Sequence, residues 1–231
     1  MEKIYKNVNK ELLGYIKNNV FPEYDKNDKG HGILHILEVI RRSFELKKSL
    51  SLDHLDDDLI FAIASCHDNG KYIDHKTHEK IASDRFYTNQ DFKKFFSDEQ
   101  RKIIKEAIED HRSSFEDTPR SDYGKLISSA DRNSTIDIVF IRSFFVGQDR
   151  TPDLTMDEFL DFTLNRLRKR YSEEDSENMF FEDEIYAKFL VDMRNLLKDE
   201  KSFKDRYCKV NNVTDRTKRI IDLKGCESYT L

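Results

Sequence analysis

The sequence predicts an all-α protein, and three observations carry that expectation. Only 7 Gly and 3 Pro punctuate the 231 residues, too few turn formers for the hairpins of an all-β domain. Apolar residues recur at helical spacing through most of the chain. Lys, Glu, Leu and Ile, which suit helix interiors, are plentiful. Charged residues make up 37% of the chain, while 17 Phe and 10 Tyr supply core material that a disordered chain lacks. The helices should therefore turn strongly charged faces to water.

The first helix is expected over about residues 10–20, with Pro22 closing it. A second begins after Gly30 and carries Ile36, Val39, Ile40 and Phe44 on one face. A third starts at Asp56, Asp57 and Asp58, acids suited to the positive end of a helix dipole. It runs apolar through Leu59, Ile60, Ile63 and Ala64 to His67-Asp68-Asn69-Gly70, where Gly70 is expected to supply a left-handed cap. Further helices are expected over about 79–86, 99–111, 123–130 and 136–145, with Phe92, Phe95 and Phe96 in the core or over a site as a lid. Thr151-Pro152-Asp153 reads as a turn, and Thr155-Met156-Asp157-Glu158 as a capping box before Phe159, Phe162 and Leu167. Residues 172–178 read as a polar loop, and helical patterning returns over about 185–209. The whole chain, 1–231, reads as one domain, with a core over about 28–145 and helical support over about 150–231.

Composition excludes several function classes. A formal charge of −5 gives no general attraction to nucleic acid or anionic lipid. The basic stretch Lys201, Lys204, Arg206, Lys209, Arg216, Lys218 and Arg219 is interleaved with acids, as on solvated helix faces. Cys66, Cys208 and Cys226 are odd in number and form no CxxC pair, which argues against a disulfide framework and a thiolate zinc site. No apolar run is long enough to span a bilayer. Residues 1–7 lack the apolar core of a signal peptide, so a cytoplasmic protein is expected.

The chemistry concentrates in the histidines, all 7 of which precede residue 112. His35 lies in register with Val39. His67 follows Ile60, Ile63 and Ala64 at spacings that turn it inward, and Asp68 is next to it. His111 ends the face made by Ile104, Ala107 and Ile108. Asp131 ends the apolar segment that includes Leu126 and Ile127. Inward N and O ligands on separate helices are costly to bury without a partner. Imidazole and carboxylate together suit a divalent transition metal. His54 and His75 read as surface residues.

His35, then His67-Asp68, then Asp131 resembles the H…HD…D signature of the HD superfamily of metal-dependent phosphohydrolases. The segment from His31 to Val39 is similar to the HDxxHxxRV opening of small bacterial HD hydrolases. Thr77-His78-Glu79 resembles their histidine-glutamate pair, Ala107 to His111 their next histidine-bearing helix, and Ala130-Asp131-Arg132 their ADR element. The resemblance implies an HD-type helical bundle with additional C-terminal helices. It implies one divalent ion (Mn, Mg, Fe, Co or Ni) on His35, His67, Asp68 and Asp131, with room for a second. Lys71 resembles the lysine of the HDxGK variant and would stabilise charge on a phosphate. His31, His78 and Arg132 would also face phosphate. His111 would protonate a leaving oxygen or join a second metal site, and Glu79 would orient a histidine.

Gly32 and Glu38 depart from the opening motif. Lys71 stands where nucleotide monophosphatases of the superfamily often carry glutamate. The implied activity is cleavage of a phosphate ester or phosphoanhydride of a nucleotide or similar small molecule. The alternatives are a dinuclear iron oxygenase of the same superfamily and a non-catalytic nucleotide-binding module. The expected partner is a small phosphate compound rather than a membrane or nucleic acid, with a homodimer left open.

Overall fold

A computed structural model describes residues 6–112, 117–132, 135–173 and 180–223. Among these residues eleven α-helices and three short 3-10 helices form, without a β-strand. Cys226 and residues 174–178 of the expected polar loop lie outside the described residues. The chain divides into two compact units, Met1–Arg132 with Asn178–Asp183, and Asn133–Glu177 with Glu184–Leu231.

The first unit is built around a helix that is apolar on all sides. Helices α1 (Lys10–Asn19), α2 (Ile33–Ser49), α4 (His78–Thr88), α5 (Asp98–Glu109) and α6 (Asp122–Ala130) all contact α3 (Asp57–Cys66). Every α3 residue from Leu59 to Cys66 is buried, the pattern of a helix enclosed by its neighbours rather than amphipathic at a surface. Its N-terminus is set by Asp56, whose side chain accepts from the N–H groups of Asp58 and Leu59. Phe92 and Phe96 are buried with Phe86 in this core, so the phenylalanine cluster is core and not a lid.

The second unit comprises α7 (Ile136–Arg150), α8 (Met156–Arg170), α9 (Glu184–Lys198), α10 (Glu200–Val210) and α11 (Ile220–Leu223). Their core includes Phe140, Phe144, Phe159, Met193, Phe203 and Tyr207. The Thr155–Glu158 capping box forms as expected. The basic residues here pair with acids, as in Lys204 with Asp161 and Glu200, Arg206 with Asp137, and Arg216 with Asp205.

The structure corrects three boundaries. First, α7 runs past residue 145 through Gly147 and belongs to the second unit. Gly147 permits this because a Cβ there would stand 2.1 Å from the Phe159 ring. Second, the helical stretch expected over 185–209 is two helices, interrupted at Asp199, which caps α10 by accepting from Ser202 N–H. Third, α3 is capped by His67 rather than by Gly70. Gly70 lies in the turn beyond, with φ +126° rather than the left-handed helical value.

Candidate metal centre

Helix ends assemble the site. His35 is in the first turn of α2 and His78 is the first residue of α4. His67 and Asp131 are the C-caps of α3 and α6, and His111 follows Asp110, the C-cap of α5. Three of these groups therefore sit at helix C-termini, where the partial negative charge of exposed carbonyls favours a cation.

The turn after α3 is tightly satisfied. His67 N–H donates to Ile63 O, and His67 Nδ1 lies 2.8 Å from Ala64 O. Tyr24 O–H donates to Ser65 O at 2.7 Å, and Asn69 N–H to Cys66 O at 3.0 Å. The Asn27 amide donates to the Asp68 and His31 carbonyls and accepts from Tyr72 N–H, joining this turn to the segment before α2. Neither Tyr24 nor Asn27 stands out in the sequence. Both reach the site across more than forty residues.

Asp68, fully buried, is the centre. Its Oδ2 lies 3.6 Å from His35 Nε2 and 3.8 Å from His67 Nε2. Its Oδ1 lies 3.1 Å from His78 Nε2 and 3.7 Å from His111 Nε2. Lys71 Nζ reaches both oxygens, at 3.1 and 3.0 Å. Asp131 Oδ1 is 3.0 Å from His35 Nε2 and 3.9 Å from His67 Nε2. Ligand atoms of His35, His67 and Asp131, and likewise of His67, Asp68 and His111, all lie within 4.8 Å of one another.

The imidazoles present the right atoms. His67, His78 and His111 each place Nδ1 against a backbone carbonyl three residues back, of Ala64, His75 and Ile108. Those bonds require Nδ1–H, which leaves the Nε2 lone pair facing inward. The Nε2 atoms of His35 and His67 are buried and hold no hydrogen bond, a costly arrangement unless a cation occupies the space between them. Burial pushes the His67 pKa down to about 3, so the ring is neutral, the form a metal requires. Burial also opposes charge on Asp68 and Asp131. For Asp68, Lys71 and then His67 outweigh it, and for Asp131 His35 does, so both carboxyls stay well below the usual range and remain anionic. Two carboxylates against one lysine leave negative charge that a divalent ion would balance. The donor set thus fits a metal of the kind held by mixed N and O ligands.

The remaining expected residues fall as follows. His31 Nδ1 is 2.8 Å from the Asp28 carboxylate, and its ring centroid is 5.9 Å from that of His35. Asp28 went unremarked in the sequence, although its i, i+3 spacing to His31 is a local signal. Arg132 is buried with its guanidinium 5.8 Å from the Phe180 ring. Glu79 Oε2 stands 3.7 Å from His78 Nδ1 and 3.2 Å from Arg112 Nη1. His54 is exposed beside Asp122. His75, also exposed, lies 5.8 Å from His31 and 6.0 Å from His78 between ring centroids.

Residues 32–136 match the family model of the HD domain. No curated protein and no solved structure matches the chain. The matched segment runs from the N-cap of α2 to the start of α7 and contains His35, His67, Asp68, His78, His111 and Asp131. Over residues 32–136, where histidines and aspartates gather at the helix ends of an all-α unit, the chain carries an HD domain.

Proposed function

We propose that the chain is a metal-dependent phosphohydrolase that cleaves a phosphate ester or phosphoanhydride of a nucleotide or similar small molecule. The observation that carries this reading is the buried Asp68 carboxylate, flanked by four imidazole Nε2 atoms and by Lys71. His35, His67, Asp68 and Asp131 would hold a divalent ion, with Mn, Mg, Fe, Co and Ni all suited to such ligands. When bound, that ion supplies a Lewis acid and lowers the pKa of a coordinated water toward about 7. Lys71 then offers an ammonium to the phosphoryl oxygens, where fixed positive charge lowers the barrier most. His31 and Arg132 serve as further phosphate-facing groups, and His111 as the proton source for a leaving oxygen.

The test is a phosphate- and pyrophosphate-release screen over nucleotides with Mn, Mg, Co and Ni, repeated on Asp68→Ala. Metal-dependent release that the variant loses is the expected result, and the product identifies the bond cut. Silence across the panel with metal bound would sink the phosphohydrolase reading.

One observation favours a two-ion version of the centre. The Nε2 atoms of His78 and His111 approach to 3.4 Å and both face Asp68 Oδ1, while Oδ2 faces His35 and His67. His78 and His111 would then hold a second ion beside Asp68. A dinuclear iron oxygenase would use the same ligands. Two irons per chain with oxygen consumption supports the oxygenase, whereas phosphate release supports the hydrolase.

A further inference from the structure

His111 and Arg112 lie beyond the C-cap of α5, so the helix itself does not hold them against α4. The bond from His111 Nδ1 to Ile108 O orients the ring relative to α5 only. Further along, Lys105 joins Asp84 and Glu109, and Ser83 O–H donates to Glu109, which ties the two helix bodies together. At the level of the histidines the tie is Arg112. Its Nη1 donates to the Lys76 carbonyl and lies 3.2 Å from Glu79 Oε2. Lys76 and Glu79 bracket His78, the first residue of α4, and Thr77 gives that helix no side-chain cap. Arg112 thus grips the chain on both sides of one imidazole while being covalently next to the other.

We propose that Arg112 is a positioning residue of the metal centre. By bridging Lys76 and Glu79 it fixes the spacing of His78 and His111, and with it the affinity for the second ion, resting on the two-ion reading above. The guanidinium suits the task because the two hydrogens of its Nη1 serve a carbonyl and a carboxylate at once. Its side chain is about one-third exposed (31%), so its removal opens no core cavity and leaves the fold in place. Loss of such an outer contact lowers metal affinity by about 10- to 100-fold. His35, His67 and Asp131 lie on other elements and keep their own supports.

The test is a calorimetric Mn²⁺ titration of the full chain, stripped of metal, as wild type, Arg112→Ala, Arg112→Lys and Glu79→Gln. Wild type should take up two ions. Arg112→Ala should bind the first within about 3-fold of wild type and the second about 10- to 100-fold more weakly. Arg112→Lys keeps the charge on a shorter side chain and should fall between, and Glu79→Gln should shift the second ion in the same direction. A single ion in wild type would overturn the two-ion reading and the role of Arg112 with it. Two ions of unchanged affinity in Arg112→Ala would overturn the role of Arg112 alone. Equal weakening of both ions would also overturn it, since that marks general loosening. An unchanged titration with a raised KM for phosphate substrates would instead assign Arg112 to substrate.

Discussion

Gly70 gives the sharpest steric prediction, because it separates the centre's aspartate from its lysine. It lies between Asp68 and Lys71 with φ +126°, a conformation that L residues rarely adopt. A Cβ built there would stand 2.6 Å from Ile81 Cγ2 on α4. Gly70→Ala therefore carries two costs. The backbone strain is about 1–3 kcal/mol, and forcing a methyl into an occupied space adds about 1–3 kcal/mol. Ile81→Ala removes the Cγ2 in conflict, and the next nearest Ile81 atom, its Cβ, is at an ordinary 3.5 Å. On that background Gly70→Ala should retain the backbone cost alone. The double-mutant cycle should thus show a coupling of about 1–3 kcal/mol. Amide hydrogen exchange across the end of α3 and the start of α4 is the suitable assay. It reads opening locally and does not require a chain of two units to unfold in one step. If the two substitutions prove additive, Ile81 is not what excludes a side chain at Gly70. Unchanged protection in Gly70→Ala would refute both costs.

Two further outcomes follow from buried groups around the same turn. Tyr24→Phe deletes the donor to Ser65 O and leaves that buried carbonyl unpaired, at about 1–3 kcal/mol. Exchange of the amides from Cys66 to Asn69 should quicken accordingly, and unaltered rates would show that another donor replaces the phenol. In the metal-free chain, burial disfavours charge on His111, but its contact with Asp68 outweighs that and raises its pKa. A raised folded value means stabilisation that is complete below the unfolded pKa of about 6.5 and lost as pH rises through the folded value. The depressed His67 acts with opposite sign, costing stability as pH falls from about 6.5 toward about 3, a range below the one in which His111 loses its proton. His111→Asn removes the His111 contribution. The stability gap between wild type and that variant should therefore narrow as pH rises above the unfolded value of about 6.5, and a constant gap would contradict the assignment.

Local periodicity made the helices legible, and it also placed His67, Asp131 and His111 at helix ends, because each closes an apolar stripe. What it could not supply was anything dependent on distant partners. Asn27 reads as one polar residue in a loop, yet it bonds the Asp68 carbonyl and Tyr72 N–H. Arg42 sits among the apolar positions of α2, and nothing local marks it as buried. It is buried in an ion pair with Asp183, 141 residues later. Gly147 lies just beyond the helix expected over 136–145, and glycine weakens helices. The reason it persists inside α7 is the Phe159 ring against it, a contact with no trace in local sequence. His31 is marked by the opening motif while its partner Asp28 is not, since an aspartate just ahead of a glycine reads first as a turn former.

The enclosure of α3 explains why the centre lies where it does. A helix buried on every side ends away from water, so the carbonyls of its last turn need donors, and they recruit Tyr24, the Asn69 amide and the His67 ring. Any charge placed at that end is equally cut off from solvent. Asp68 is completely buried, and Lys71, the one lysine that reaches it among the described residues, cannot balance both it and Asp131. The carbonyl ends of α3, α5 and α6 add negative potential of the same sign. An apolar replacement of this network would serve stability better. The desolvation that makes these charges costly alone would equally strengthen their attraction to a cation brought among them.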